Sequence, residues 1–294
     1  MTSQPSLPFT PLIIIGAGRS GTNALRDSLV KLPNFGTWPC DEINPIWRHG
    51  NLFWPNDEFT SDHANSKVKR FIRNAFLKIW KKQRCPDFVI EKTCANTLRV
   101  PFVNSILPEA IFIEIVRNGE DVVASAQKRW KGELEVAGLP YFLAKARYVP
   151  ITDFAVYGFS FLKKRLNLIL NKNTGLGIWG PRISGLDSLK TNNLDTICAM
   201  QWSRCVELSN QALAEIEPER VIKIRYESFV SDPKKEISKI VERLKLTFTE
   251  EEISYAVSSI NSRSIGNARK TGVNLSDDAL KNIEVQMKRN GYMD

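Results

Sequence analysis

Leu12-Ile13-Ile14-Ile15-Gly16-Ala17-Gly18-Arg19-Ser20-Gly21-Thr22-Asn23 is an apolar run that breaks into a glycine loop, followed by residues 24–32 with helical composition and spacing. Four consecutive apolar residues, three of them β-branched, fit a strand covered on both faces. The small residues beyond it let backbone N–H groups approach a ligand closely, and a helix start adds partial positive charge there. The stretch therefore predicts a strand, an anion-binding turn and a helix.

The same rhythm recurs along the chain. Residues 87–91 and 110–116 supply second and third strands, 121–130 a helix, 219–224 a fourth strand, and 233–246 a helix whose Pro233 suits a first turn. This alternation predicts an α/β fold of P-loop-like, three-layer form, a central parallel sheet flanked by helices, with ligands beyond the carboxyl ends of the strands. Residues 131–195 break the rhythm with Gly175, Gly177, Gly180, Pro181 and Gly185 among aromatics, and read as an insertion in a single domain spanning 1–294. The arm over residues 2–11, with three prolines, reads as a loosely held tail.

At 294 residues, 43% hydrophobic and 25% charged, the chain has globular composition, which excludes collagen-like, low-complexity and wholly disordered classes. Its 41 Lys and Arg against 32 Asp and Glu leave a charge of +9. That charge raises a nucleic-acid-binding module as an alternative, but the basic residues are scattered. Lys81-Lys82 and Lys163-Lys164-Arg165 form only short clusters without interleaved aromatics, so nucleic acid is not expected as a partner. Five cysteines with no C-x-x-C pair exclude a zinc ribbon or disulfide scaffold and fit a reducing, cytoplasmic setting. His49 and His63 lie at no metal-ligand spacing from a cysteine, so no metal is expected. Neither a secretory leader nor an apolar run of membrane-spanning length is visible.

The glycine loop matches G-x-G-x-x-G at Gly16, Gly18 and Gly21, and also the G-x-x-x-x-G spacing. A dinucleotide site needs an acidic residue at the end of a second strand, and residues 33–41 show no apolar run. An ATP-binding P-loop needs Lys and then Ser or Thr after Gly21; Thr22 and Asn23 stand there, with Arg19 inside the loop instead. A nucleotide kinase remains the alternative enzyme reading. After the third strand comes Arg117-Asn118-Gly119-Glu120-Asp121-Val122-Val123-Ala124-Ser125. The planar donor fork of an arginine suits phosphate oxygens, and Ser125 adds one neutral bond. The same residues also read as a local ion pair of Arg117 with Glu120 or Asp121.

With both elements in place, the chain resembles the sulfotransferases that use 3′-phosphoadenosine 5′-phosphosulfate (PAPS). Arg19-Ser20-Gly21-Thr22-Asn23 is similar to their 5′-phosphosulfate loop, and Arg117 through Ser125 resembles their R-N-P-x-D-x-x-x-S segment, with Gly119 in place of proline. Arg225-Tyr226-Glu227 through Asp232-Pro233 is similar to the family's Y-E-x-x-x-x-D-P, and Arg269-Lys270 with Gly272 to its R-K-G element. The resemblance implies that Arg19, Ser20, Gly21, Thr22 and Asn23 hold the 5′-phosphosulfate, and that Arg117 and Ser125 hold the 3′-phosphate. It implies Tyr226 near the adenine or its ribose phosphate, and Arg269 with Lys270 closing over the 3′-phosphate. Cytosolic members carry an aromatic after the loop, where this chain has Ala24.

Sulfuryl transfer needs positive charge on the bridging oxygen and a base for the acceptor proton. Arg19 and Lys92 are the candidates for the first task, with a surface ion pair to Glu91 as the plain alternative for Lys92. Many cytosolic members read K-T-H at this strand end, the histidine being the base; here Cys94 takes its place, so the resemblance lies closer to the glutamate-base, bacterial-type members. Glu42 is therefore the expected base ahead of Asp41, with His49 in reserve, because desolvation beside an acceptor raises a carboxylate's pKa toward the working range. Trp130, Tyr148, Tyr157, Trp179 and Arg182 are candidates for an acceptor wall. The expected acceptor is a hydroxyl, or secondarily an amine, of a small metabolite, lipid or glycan.

Overall fold

The computed structural model describes residues 6–130, 151–153, 179–186, 193–263, 265–270 and 274–293. A five-stranded sheet of order β2-β3-β1-β4-β5 forms its centre, with β1 Thr10–Ile15, β2 Phe35–Thr37, β3 Phe88–Lys92, β4 Ile111–Val116 and β5 Val221–Arg225. All four pairings are parallel. β1 lies between β3 and β4, which is why its run is apolar on both faces.

Alternation along β1 sends Ile13 and Ile15 to one face and Leu12 and Ile14 to the other. The first pair packs with Phe76 of α3 (Ser66–Lys82) and Phe102 of α4 (Val100–Ile106). The second packs with Leu25 and Leu29 of α1 (Thr22–Leu29). Each such side chain stabilises the sheet by roughly 1.5–3 kcal/mol on burial, and a one-residue slip would exchange the two sets. α2 is Asn44–Trp47, and α5 (Gly119–Trp130) and α6 (Leu194–Ala214) pack beside the sheet with Trp202 between them. α7 Tyr226–Ser231 and α8 Pro233–Arg243 follow β5, then α9 Glu250–Ala256, the turn α10 Asn267–Lys270 and α11 Asp277–Arg289.

The connection leaving β1 runs to β2 at one edge of the sheet and that leaving the adjacent β4 runs to β5 at the other, so a crevice opens at the carboxyl ends of β1 and β4, where open parallel sheets bind ligands. The glycine loop leaves β1 at that point.

Two features differ from the sequence reading. β2 occupies residues read as lacking a strand: Phe35 stacks on Phe88 at 5.1 Å, and Gly36 passes so close to Pro86 that a Cβ would lie 2.8 Å from its ring. The arm is also held from Phe9 onward, with Phe9 stacked on Trp80 at 5.7 Å. Thr10 N–H donates to Asp87 on the β3 side, so Pro11 turns its missing donor to the β4 side, where pairing starts only at Leu12.

Candidate active site

The glycine loop is built for close approach. Arg19 and Gly21 take left-handed φ values of 74° and 89°, the alternation that turns successive N–H groups inward as an anion nest. A side chain at Gly21 would lie 2.3 Å from the Tyr226 ring. Among the described residues no side chain caps α1, which leaves its first N–H groups for a ligand. Ser20 is buried and its Oγ has no partner among the described residues, an expensive arrangement unless a ligand supplies one. Thr22 Oγ1 lies 3.9 Å from Cys94 Sγ, and Asn23 is exposed on the first turn.

The second anion segment meets this loop. Arg117, buried at the end of β4, donates from Nη1 to the Arg19 carbonyl at 3.1 Å and sets its guanidinium 4.4 Å from the Tyr226 ring centroid. Arg19 Nε donates to Ser125 Oγ at 2.9 Å. The structure thus brings Arg19, Arg117, Ser125 and Tyr226 together. Burial, then the charges of Arg117 and Arg129, lower the pKa of Arg19, and among the described residues no carboxylate pairs with it. Such a concentration of positive charge is relieved by an anion.

Asp121 lies 3.5 Å from Arg117, as in the plain ion-pair reading, but it also accepts the N–H groups of Gly266 and Ala268 at 2.8 Å each. It thereby docks the turn carrying Arg269 and the exposed Lys270 beside the site; the Arg269 side chain and Gly272 lie outside the described residues. Glu227 accepts Asn118 N–H at 3.0 Å and the Tyr292 hydroxyl at 2.6 Å, fixing the loop that leads into α5. Gly119 stands where the family segment carries proline because the Trp202 indole fills that space: a Cβ would lie 2.9 Å from the ring.

A second cluster sits at the end of β3. Lys92 Nζ, buried, lies 3.0 Å from Asp41 Oδ1 and 3.3 Å from Glu42 Oε1. It does not pair with Glu91, because neighbouring residues of a strand face opposite sides. Burial alone would lower the Lys92 pKa, but Cys94, Glu42 and Asp41 outweigh it and hold the ammonium above the usual lysine range. Burial likewise would raise Asp41, yet Lys92 and Arg26 bring it below the ordinary carboxylate value. Burial pushes the Cys94 thiol up. Cys94 N–H donates to Glu42 Oε1 at 3.3 Å, the same oxygen that Lys92 Nζ reaches. His49 is not joined to this cluster; it pairs with Asp153 at 2.9 Å and packs on Phe71.

Trp179 packs over the loop, its ring 3.1 Å from where a Gly18 Cβ would stand. Gln201 holds that segment through the carbonyls of Trp179 and Pro181 at 3.0 and 2.6 Å, and the Arg182 carbonyl accepts the Asp57 N–H at 2.8 Å while the Arg182 N–H donates to Asp57 Oδ2 at 2.9 Å. Trp130 closes α5, whereas Tyr148 and Tyr157 lie outside the described residues. Sequence reasoning gave Asp121 only an ion pair with Arg117, and gave Glu227 and the buried polar residues around Glu91 no role of their own. A charge inside an apolar strand, as at Glu91, was the available signal.

No helix among the described residues is long and apolar enough to cross a membrane. No curated protein matches the chain. Among solved structures it is similar to the sulfotransferase domain from the curacin biosynthetic pathway, at 15% identity and TM-score 0.56, covering 98% of this chain and 99% of that one. It is also similar to the sulfotransferase domain of the Synechococcus PCC 7002 olefin synthase, at 14% and 0.52 with 97% of each chain covered. A third, the sulfotransferase from Alicyclobacillus acidocaldarius, shows 14% and 0.50 over 96% of this chain and 94% of that one. These likenesses concern the fold. The sulfotransferase family itself matches residues 11–146 and 181–250, well over half of the sequence, and the chain belongs to that family.

Proposed function

We propose that this sulfotransferase takes its sulfuryl group from PAPS and passes it to a hydroxyl of a small metabolite, lipid or glycan, an amine being the second choice. The observation that carries this reading is the shared wall of the two anion seats: Arg117 bonds the Arg19 carbonyl, and Arg19 reaches Ser125. Seats so joined suit one nucleotide with acidic groups at both its 5′ and 3′ positions. The Ser20 hydroxyl, without a partner among the described residues, and the glycine cradle fit the 5′ group, with Thr22 and Asn23 on the first turn beside it. Arg117 and Ser125 take the 3′-phosphate, Tyr226 supports Arg117, and the Asp121-docked turn brings Arg269 and Lys270 to the same end.

Glu42 is the base in this reading, through Oε2, the oxygen that Lys92 Nζ and the Cys94 N–H do not take; Asp41, held low by two cations, is the poorer one. Glu42 takes the acceptor proton as the acceptor oxygen bonds to sulfur. Lys92, with the loop N–H groups and Arg19, stabilises the electron pair left on the departing 3′-phosphoadenosine 5′-phosphate (PAP) when its S–O bond breaks. Residues 131–195 serve the acceptor side of what we take as one domain, with Trp179 over Gly18 as part of that wall. All five cysteines are free, which suits a cytoplasmic setting.

Calorimetry with PAP in the absence of metal, and with ATP plus magnesium, tests the donor. PAP binding without metal is expected. Magnesium-dependent ATP turnover with no PAP binding would establish the kinase reading instead. Labelled PAPS offered with a panel of hydroxyl and amine compounds then identifies the acceptor.

A further inference from the structure

Glu91 is a charged side chain in the middle of a parallel sheet, opposite Ile13 of β1 and only 1% exposed. Burying a carboxylate is costly unless its oxygens are bonded, and an apolar residue would serve the fold alone at least as well. Both oxygens are occupied. Oε1 accepts the Thr93 hydroxyl at 2.5 Å and Oε2 accepts Asn96 Nδ2 at 2.7 Å. Both routes lead to one turn. Thr93 Oγ accepts the Ile43 N–H at 3.1 Å, and Asn96 Oδ1 accepts Arg99 Nε at 2.8 Å, whose Nη2 donates to Asn44 Oδ1 at 2.7 Å. Ile43 and Asn44 directly follow Glu42.

We propose that Glu91 is a positioning residue for the acceptor side of the site: through Thr93 on one route and Asn96 with Arg99 on the other, it fixes the turn at residues 42–44 and so the Glu42 carboxylate. The inference rests on Glu42 being the base. The direction of the bonds makes both Glu91 oxygens acceptors. Oε1 takes the Thr93 hydroxyl hydrogen and leaves the Thr93 oxygen to accept from Ile43. A glutamine at 91 cannot do both tasks. Either its amide nitrogen meets the Asn96 donor, or it turns toward Thr93 and reverses that hydroxyl. Thr93, Asn96 and Arg99 are all buried, so water does not replace a lost bond.

Two readouts test this. In hydrogen exchange, Thr93→Val and Glu91→Gln should speed exchange of the Ile43 amide at least tenfold and leave the β1 amides unchanged; unchanged Ile43 protection overturns the proposal. In turnover of labelled PAPS, with water or a hydroxyl compound as acceptor, each substitution should lower kcat about tenfold or more and keep the PAP Kd within twofold, while Thr93→Ser rescues both readouts. In a Glu42→Gln background, Thr93→Val should cost less than twofold further; the full cost persisting there overturns the proposal. Should Glu91→Gln not fold, the Thr93 pair carries the comparison. Wild-type turnover in Glu42→Gln alone would instead remove the base reading, and the exchange measurement would still decide whether Glu91 fixes the turn.

Discussion

Arg19 Nε stands 2.9 Å from Ser125 Oγ, so a side chain of the glycine loop after β1 ends on α5, the helix that follows β4. The two proposed anion seats thus share one wall. Ser125→Ala removes one neutral bond and should weaken PAP binding about threefold to tenfold, read by calorimetry. Arg19→Ala removes a charge and should weaken it more. Equal and negligible effects would separate Arg19 and Ser125 from the donor.

Glu42→Gln should lower turnover about 100-fold or more, the range in which general-base catalysis contributes, while PAP affinity stays within twofold. Lys92→Ala should likewise depress kcat more than donor binding, in steady-state kinetics set beside calorimetry. A Lys92 variant with weakened PAP binding and normal kcat would make Lys92 a docking residue only.

Gly119→Ala places a methyl group 2.9 Å from the Trp202 ring. Overpacking of this kind costs about 1–3 kcal/mol, and a lowered Tm in thermal denaturation is expected. Trp202→Ala in the same chain should relieve that added cost while opening a cavity. An unchanged Tm in Gly119→Ala would show that the indole moves freely aside.

The beginning of the candidate site is legible in sequence because its signals are local. A strand, a glycine loop and a helix lie within residues 12–32, and Arg117 through Ser125 are spaced along one strand end and helix. β2 is not legible, since three residues cannot display alternation and Gly36 is there for the approach of Pro86. Pairing of Lys92 with Asp41 and Glu42 spans some fifty positions and depends on which side of β3 each residue faces. The bonds from Glu91 to residues 43 and 44 close only once that alternation and the docking of α2 are fixed. Glu227 reads as part of a motif, but its bond to Asn118 joins two strand ends that are adjacent only in the sheet.

Burial lifts the Glu91 carboxyl to about 7, against the lowering effects of Thr93, Trp47 and Arg99 and together with the charge of Glu42. Between its ordinary value of 4.5 and about 7, the native state holds a proton that the unfolded chain releases. Stability contributed at this site therefore falls as pH rises through that window, by up to about 3 kcal/mol. Asp41 acts in the opposite sense: its lowered pKa gives stability that is present above the ordinary carboxylate value and lost on acidification. Urea denaturation at several pH values should show the Glu91 slope in the wild type and its loss in Glu91→Gln. A slope that persists unchanged in the variant assigns it to other groups.

PAP and adenosine 5′-phosphate, titrated into the wild type and into Arg117→Ala, compare two nucleotides that differ only in the 3′-phosphate. A preference of about tenfold to 100-fold for PAP is expected in the wild type, since charge-assisted bonds contribute about 1.5–3 kcal/mol, and it should collapse in Arg117→Ala. Equal affinities in the wild type, or a preference that survives the loss of Arg117, would contradict the assignment.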